Sequence, residues 1–237
     1  MIAAGPSLEG NAHHLLTADE RILKIAVDAA TPFLWKRGIV PDVVVTAEEQ
    51  CRAALIFQLL NGWYPSVVLC ASTTTNPFCL RVLQDVGVKQ IFFYHNAHPW
   101  LARDGRFRAR LFDMTIPSIT PSCGSITFHA VRIAEWLGIK PSNIAIVGCD
   151  MQVSAKQAET GKTHAGEYRV EGIPVEVINQ SFQNHLRELE HSRLADTGII
   201  NASEAGRITF FKQSLLHDFL LSHAKTEKTE PQSVALT

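Results

Sequence analysis

The chain has 237 residues, of which 46% are hydrophobic and 19% are charged, an ordinary globular composition that allows a sizeable buried core. Its formal net charge of −1 gives no field to attract nucleic acid or an anionic membrane, and no apolar run reaches the roughly 18 residues that a membrane-spanning helix needs. The five cysteines show neither zinc-site nor disulfide spacing, so we expect a cytoplasmic protein. From the charge and the apolar run lengths, we expect no nucleic-acid partner and no membrane span.

Six short runs of β-branched and aliphatic residues predict strands, and helix-like stretches lie between them. The strands are predicted at residues 1–4, 22–27, 43–46, 66–70, 90–94 and 143–147, and the helices at residues 31–37, 51–60, 77–86 and 126–137. Since the strand runs are continuously apolar, helices should cover both faces of the sheet. The repeated β-α-β order predicts an α/β fold: a Rossmann-like, doubly wound, mostly parallel sheet with helices on both faces.

The sequence changes in character after Met151. Residues 152–166 are polar and irregular, and a β-hairpin is predicted at residues 167–170 and 173–177 around the turn Glu171-Gly172. A long helix at residues 181–194, a short strand at 199–202 and a closing helix at 210–223 complete the predicted elements. No linker marks a second domain, so we expect one domain over residues 1–224 and a disordered tail over residues 225–237.

The first predicted strand is followed by the turn Gly5-Pro6-Ser7-Leu8. In open parallel sheets, ligands bind beyond the carboxyl ends of the strands, so this turn is a candidate nucleotide site. Glycine permits close approach of the backbone, and free amides together with the Ser7 hydroxyl can hold a phosphate. An ordinary strand-to-helix turn explains the same residues.

Acidic residues follow the next two strands. Asp28 stands where a carboxylate often meets a ribose hydroxyl, and it fits a helix cap equally well. Glu48 and Glu49 can bind a cation or act as acid and base. They can also simply favour the positive start of the following helix.

Polar residues also mark the ends of the later strands. His95 follows the fifth strand. Ser122, Gly124 and Ser125 precede a strongly predicted helix, whose first amides point at whatever binds there; Ser122 can also be a plain helix cap. Asp150 ends the sixth strand and is the strongest polar candidate by position, because a carboxylate there faces the floor of the crevice.

Several of these motifs, taken in order, resemble the MptE-like family. They are Gly5-Pro6-Ser7-Leu8, Pro41-Asp42-Val43-Val44-Val45, Gly124-Ser125 followed by Val147-Gly148-Cys149-Asp150, and the closing Asn201-Ala202-Ser203-Glu204-Ala205-Gly206-Arg207-Ile208. The family includes the archaeal 6-hydroxymethylpterin diphosphokinase and the Maf flagellin glycosyltransferases (motility accessory factors). The first turn and the helix before Asp150 are more remotely similar to bacterial CMP-sialyltransferases. The resemblance spans residues 1–210 and implies a Rossmann-like fold with an activated nucleotide donor.

The resemblance implies two alternative reactions. The diphosphokinase branch moves a diphosphate from ATP to a hydroxymethyl group with magnesium, for which Glu48, Glu49 and Asp150 are the available ligands. The Maf branch moves a nonulosonic sugar from a CMP donor to a serine or threonine. The diphosphokinase type presents Thr-Asp-Leu-Asp at the third strand, whereas this chain has Thr46-Ala47-Glu48-Glu49. Glycosyl transfer is therefore the first hypothesis.

The prediction is a nucleotide-dependent transferase with a CMP-sugar or ATP as donor and a small-molecule or protein hydroxyl as acceptor. The predicted nucleotide-binding residues are Gly5, Pro6, Ser7, Leu8, Asp28, Glu48, Ser122, Gly124 and Ser125. The predicted catalytic residues are His164, His95 and Asp150, and the histidines suit a general base because imidazole titrates near neutral pH. Magnesium is expected only with the diphosphokinase reaction. A hypothesis of another class is a catalytically idle, nucleotide-binding scaffold.

Overall fold

The computed structural model describes residues 1–47, 66–85, 87–96, 118–119, 125–153, 157, 174–190, 197–204 and 208–224. The strands in this part of the chain are β1 (Ile25–Val27), β2 (Val43–Thr46), β3 (Val68–Ser72), β4 (Gln90–Asn96), β5 (Ser118–Ile119), β6 (Ala145–Ile146), β7 (Ile200–Asn201) and β8 (Lys212–Gln213). The α-helices are α1 (Leu8–Leu16), α2 (Thr31–Lys36), α3 (Pro77–Asp85), α4 (Ile126–Trp136), α5 (Val175–Glu190) and α6 (Leu216–Ala224).

The first residues of the chain lie at the centre of the sheet. Ile2 pairs in parallel with Ala26 beside β1 and with Val147 beside β6. From this centre the order runs outward through β1, β2, β3, β4 and β5 on one side and through β6, β7 and β8 on the other. All the pairs are parallel. The chain therefore reverses its direction of travel across the sheet at residues 1–4, which is the topological switch point of a doubly wound fold.

The helices divide between the two faces of the sheet. One apolar core contains residues of α1, α2, α3 and α6, and the other contains residues of α4 with Phe182 and Leu186 of α5 packed against it. Right-handed crossovers require this division, because the connections run in opposite directions on the two sides of the switch point. The predicted α/β fold with helices on both faces is confirmed.

The continuously apolar patterns correctly predict burial in β1 and β2, whereas Phe92 and Phe93 of β4 are exposed. Val43, Val44 and Val45 of β2 are all buried, as are Ile25, Ala26 and Val27 of β1. Full burial of a valine or isoleucine side chain contributes about 1.5–3 kcal/mol relative to an exposed one, so the alternating faces of these strands both stabilise the fold. Cys70 and Cys149 are buried in the same core.

The structure corrects the prediction at three helices. Helix α1 was not predicted, although its buried residues Leu8, Ala12 and Leu15 have the spacing of an amphipathic helix, because the segment also contains Gly10 and Asn11, which are poor helix formers. The second predicted hairpin strand, residues 173–177, is wrong, since α5 begins at Val175 directly after Pro174, a residue well suited to a helix start. The first hairpin strand lies outside the described residues.

The predicted closing helix at residues 210–223 begins too early. Lys212 and Gln213 form β8, and the helix starts at Leu216. Phe211 is buried, and the Gln213 side-chain amide donates to the carbonyl oxygens of Ile208 at 2.7 Å and Phe211 at 2.9 Å. These contacts hold the segment in an extended conformation that helical periodicity does not reveal. Within the described residues, no helix is both long and apolar enough to cross a bilayer.

Candidate functional site

A crevice lies at the switch point, beyond the carboxyl ends of the central strands. Its volume is about 160 Å³. It is lined by the turn that follows residues 1–4, the turn that follows β6, the first turn of α4 and one aromatic residue of α5. The lining includes Gly5, Pro6, Ser125, Asp150, Gln152 and Phe182. In doubly wound sheets this is the position at which ligands bind. We call this cavity the switch-point crevice.

The turn after β6 holds a buried carboxylate in a constrained backbone. Asp150 is only 3% exposed and lies between two residues with left-handed backbones, Gly148 (φ 73°) and Met151 (φ 50°). A left-handed conformation is uncommon for methionine, and such conformations persist where the surrounding structure enforces them. We call residues 148–151 the Asp150 turn.

Asp150 meets the start of α1 across the switch point. The backbone N–H of Ser7 donates to Asp150 Oδ2 at 2.9 Å, although the two residues are 143 positions apart in the chain. Burial raises the pKa of the Asp150 carboxyl, and hydrogen bonding from Ser7 opposes that rise. Within the described part of the chain, Asp150 Oδ1 is buried without a hydrogen-bonding partner, whereas the Ser7 side chain acts on the Asp150 carboxyl and helps to lower its pKa. Asp150 Oδ1 therefore keeps unused hydrogen-bonding capacity.

The Gly5-Pro6-Ser7-Leu8 turn offers fewer donors than its sequence suggests. The N–H of Gly5 donates to the Gly148 carbonyl, that of Leu8 to the Gly5 carbonyl, and that of Ser7 to Asp150. Pro6 has no N–H. The expectation of free amides at this turn is wrong, because the turn uses them to hold α1 and the Asp150 turn together. The Ser7 side chain also acts on the Asp150 carboxyl and helps to lower its pKa.

The first turn of α4 is the second feature of the crevice that suits an anion. Ser125 is the N-cap residue of this 11-residue helix, and its side chain makes no capping hydrogen bond. Ser125, Ile126 and Thr127 line the switch-point crevice. The first N–H groups of a helix have no acceptor within the helix, and the helix dipole adds positive potential there. A phosphate at this position would meet the positive end of the helix dipole, whereas Asp150 accepts from the start of α1.

Asp28 has a structural role in the fold. Its Oδ1 accepts from the Ala29 N–H at 2.7 Å, and its Oδ2 accepts from the Thr46 hydroxyl at 2.7 Å. These bonds tie the end of β1 to the end of β2. Its neighbours Val27 and Ala29 line the switch-point crevice and Asp28 does not. Contact with a ribose would have to compete with two bonds that are already made.

His95 lies at the end of β4, away from the switch-point crevice. Its Nδ1 is hydrogen-bonded to the Thr73 hydroxyl, and burial lowers the pKa of its imidazole. The other predicted histidine, His164, lies outside the described residues, as do Glu48, Glu49, Ser122 and Gly124. Of the two predicted catalytic residues that the structure describes, Asp150 lines the crevice and His95 does not.

A buried polar network that sequence reasoning missed lies behind the strand ends. The Tyr94 hydroxyl is 3.2 Å from the Thr46 carbonyl oxygen and 2.9 Å from His129 Nδ1, and the two rings meet edge to face. Burial raises the pKa of Tyr94, so it stays neutral. The signal available in the sequence was a histidine within the apolar pattern of α4. The network fixes β2, β4 and α4 relative to one another.

Tyr94→Phe should therefore destabilise the protein by about 1–3 kcal/mol, because the buried Thr46 carbonyl and His129 each lose a partner. Chemical denaturation of the variant measures this loss. Phe92→Leu, at an exposed position of the same strand, should change the midpoint little. An unchanged midpoint for Tyr94→Phe would contradict the role of the network.

A larger cavity, of about 690 Å³, lies at the opposite edge of the sheet. It is lined by residues before β1 and β6 together with α6, including Lys24, Asn143 and Leu216. Its ionic pair, Arg21 and Asp19, is already closed at 2.8 Å. We place the candidate site at the smaller crevice because that crevice combines the switch point, a helix start and an unpartnered buried carboxylate oxygen.

Comparison with known proteins agrees with this architecture. A family model described as "6-hydroxymethylpterin diphosphokinase MptE-like" matches residues 1–156, which include the switch point and the Asp150 turn. No curated protein sequence matches significantly. Among solved structures, a Maf glycosyltransferase from Magnetospirillum magneticum AMB-1 is similar, with a TM-score of 0.61 and 14% identity over 90% of this chain. The chain covers 32% of the length of that protein, and at this identity the likeness shows the fold alone.

Proposed function

Because this chain belongs to the MptE-like family, we propose that it is a nucleotide-dependent transferase whose first candidate reaction is glycosyl transfer from a CMP-activated nonulosonic sugar to a hydroxyl acceptor. One observation carries the proposal: Asp150, buried and with one carboxylate oxygen unpartnered among the described residues, lies in a switch-point crevice that also contains the start of α4. The solved structure of similar fold is a Maf glycosyltransferase, and for this reason glycosyl transfer is the first of the two transferase reactions to be tested.

The proposed roles follow from charge. The phosphate of the donor binds at the first turn of α4, where amides stabilise the negative charge that develops as the nucleotide leaves. Asp150 Oδ1 accepts the proton of the acceptor hydroxyl as the oxygen of that hydroxyl forms a new bond to the anomeric carbon. At the same time, the bond from the anomeric carbon to the phosphate oxygen breaks, and CMP leaves. Burial raises the pKa of Asp150, which brings it closer to the working pH and makes the carboxylate a better base.

The second candidate is transfer of a diphosphate from ATP to a hydroxymethylpterin, and the description of the matching family model favours it. This reaction requires magnesium, which prefers several oxygen ligands. Among the described residues, the crevice supplies one unpartnered oxygen of Asp150, while both oxygens of Asp28 are engaged. The described residues alone do not make a magnesium site, and Ala47 stands where that branch is expected to have an aspartate.

A thermal-shift series with CMP, CDP, ATP and ATP plus magnesium tests the proposal. A nucleotide at about 100 times its Kd stabilises a protein by about 2.7 kcal/mol, which corresponds to roughly 5–10 °C in Tm for a chain of this size. We expect CMP and CDP to give this shift without metal. A shift that requires both ATP and magnesium would instead support the diphosphokinase.

The same series distinguishes an enzyme from an idle scaffold. A nucleotide-binding scaffold would shift with CMP and yet release no CMP from a CMP-sugar in the presence of acceptors. If no nucleotide raises the Tm, the transferase proposal fails. Asp85→Asn, at an exposed position of α3, is a suitable control because it should leave every shift unchanged.

A further inference from the structure

The segment that carries Asp150 is held at both ends by side chains that the proposed reaction does not use. The Cys149 N–H donates to the Ser203 hydroxyl oxygen at 2.8 Å. Beyond the Asp150 turn, the Asn179 side chain forms two bonds with Val153, accepting from its N–H and donating to its carbonyl oxygen, each at 2.8 Å. Asp150 therefore lies between two anchored backbone groups.

Ser203 is itself fixed in place. It is 1% exposed, and its N–H donates to Asn201 Oδ1 at 3.0 Å. The Asn201 side-chain amide donates to the Ile208 carbonyl at 3.1 Å. Asn201 and Ser203 thus form a hydrogen-bonded support for the backbone of Cys149.

Asn179 connects the Asp150 segment to a third part of the chain. It lies on α5, one turn before Phe182, whose ring lines the switch-point crevice. A side-chain amide that bonds to both the N–H and the carbonyl oxygen of one residue satisfies these groups as a neighbouring strand would, and it fixes the position of that residue. Val153 has no strand partner among the described pairs, so Asn179 supplies this constraint.

We propose that Ser203 and Asn179 are positioning residues that hold the Asp150 carboxylate against the Ser7 amide and aim its free oxygen into the switch-point crevice. The backbone of the Asp150 turn is left-handed at Gly148 and Met151, a conformation that relaxes when its supports are removed. Removal of either support lets the carboxylate move away from its working position. A catalytic group displaced by about 1 Å can lose on the order of 100-fold in rate.

The kinetic consequence of this inference rests on the proposed function, whereas the positioning geometry is independent of it. The Ser7 backbone amide reports the geometry directly, because its proton is hydrogen-bonded to the Asp150 carboxylate. Its ¹H–¹⁵N chemical shift is compared in wild type, Asp150→Asn, Ser203→Ala and Asn179→Ala. We expect the Ser7 signal in Ser203→Ala and Asn179→Ala to move in the direction seen in Asp150→Asn. Ser203→Thr, which keeps the accepting oxygen, should restore the wild-type position.

The controls are Asn184→Ala on α5 and Ser142→Ala, both at exposed positions, and both should leave the Ser7 signal unmoved. In a transfer assay, Ser203→Ala and Asn179→Ala should lower kcat by roughly 10- to 100-fold with little change in KM. If Ser203→Ala does not fold, Asn179→Ala on the half-buried face of α5 decides the matter. A Ser7 signal at its wild-type position in Asn179→Ala, and in Ser203→Ala where it folds, would overturn the inference. A moved signal in a protein that binds no nucleotide would instead remove the proposed function and leave the positioning role intact.

Discussion

Asp150→Asn is expected to abolish transfer while making the protein more stable at neutral pH. The asparagine keeps the shape of the side chain and an oxygen that can accept from the Ser7 N–H, but it cannot take a proton from an acceptor hydroxyl. Loss of a general base typically lowers turnover by about 10²–10⁴-fold. Binding of CMP should persist, because the proposed phosphate site is at α4 and because the substitution removes a nearby negative charge.

The gain in stability has a defined pH dependence. Burial raises the pKa of Asp150 above its ordinary value, so the folded protein binds this proton more tightly than the unfolded chain does. The residue therefore contributes stability below the unfolded pKa of about 3.9, and this contribution is lost as pH rises through the folded pKa. Asp150→Asn removes the cost of the buried charge above that window. We expect a gain of about 1 kcal/mol at pH 8 and little or none at pH 4.

Denaturation at both pH values and steady-state kinetics measure these effects together. The exposed substitution Asp85→Asn should change neither quantity. Full activity in Asp150→Asn would exclude Asp150 as the base and direct attention to His164 or His95. A loss of stability at pH 8 would show that the ionised carboxylate is needed to hold the start of α1.

Gly5→Ala should destabilise the protein strongly for so small a change in side chain. A Cβ at Gly5 would overlap Asp150 Oδ2 and lie 2.5 Å from the Gly148 carbonyl oxygen, and neither group can retreat without moving the Asp150 turn. Overpacking of this kind costs about 3 kcal/mol, or roughly 6–12 °C in Tm for a chain of this size. Nucleotide-dependent transfer should fall as well, since the clash falls on the carboxylate itself.

Gly10→Ala, in the helix that follows this turn, is the matched control. A Cβ at Gly10 meets nothing within 4 Å, and alanine is the better helix former, so this variant should be more stable by about 0.5 kcal/mol. Thermal denaturation of the pair separates a steric requirement from a general effect of glycine on the backbone. Equal stability of Gly5→Ala and wild type would show that the contact between the two turns is looser than described.

The Gly5 contact also changes the meaning of the Gly-Pro-Ser-Leu motif. From its position after a strand, the glycine is explained by room for a phosphate. In the structure the space is filled by Asp150 and by the Gly148 carbonyl, so the glycine allows two parts of the protein to meet. The motif therefore places the carboxylate and α1, and the proposed phosphate site is at the first turn of α4 instead.

Part of the site could be predicted because strand ends are visible in the sequence. Asp150 follows a buried apolar run, and parallel strands present their carboxyl ends at one edge. Ser125 was found because it precedes a strongly periodic helix. Asn179 and Ser203 were not assigned a role, because each acts through a bond to the backbone of a residue far away in the chain, and nothing in their local pattern marks that bond.

The sequence by itself determined the fold class, since uninterrupted aliphatic runs such as Val43-Val44-Val45 can be buried only in a sheet that is covered on both faces. It also indicated which residues stand near the strand ends, because the end of each continuous apolar run is visible locally in the chain. Only the tertiary structure decided which of those residues are free to act. Asp28 is engaged by Thr46, the amides after Gly5 are consumed internally, and Asp150 keeps one open oxygen. The order of the strands in the sheet determines which residues become hydrogen-bonding partners, because it brings together residues that no sequence pattern connects.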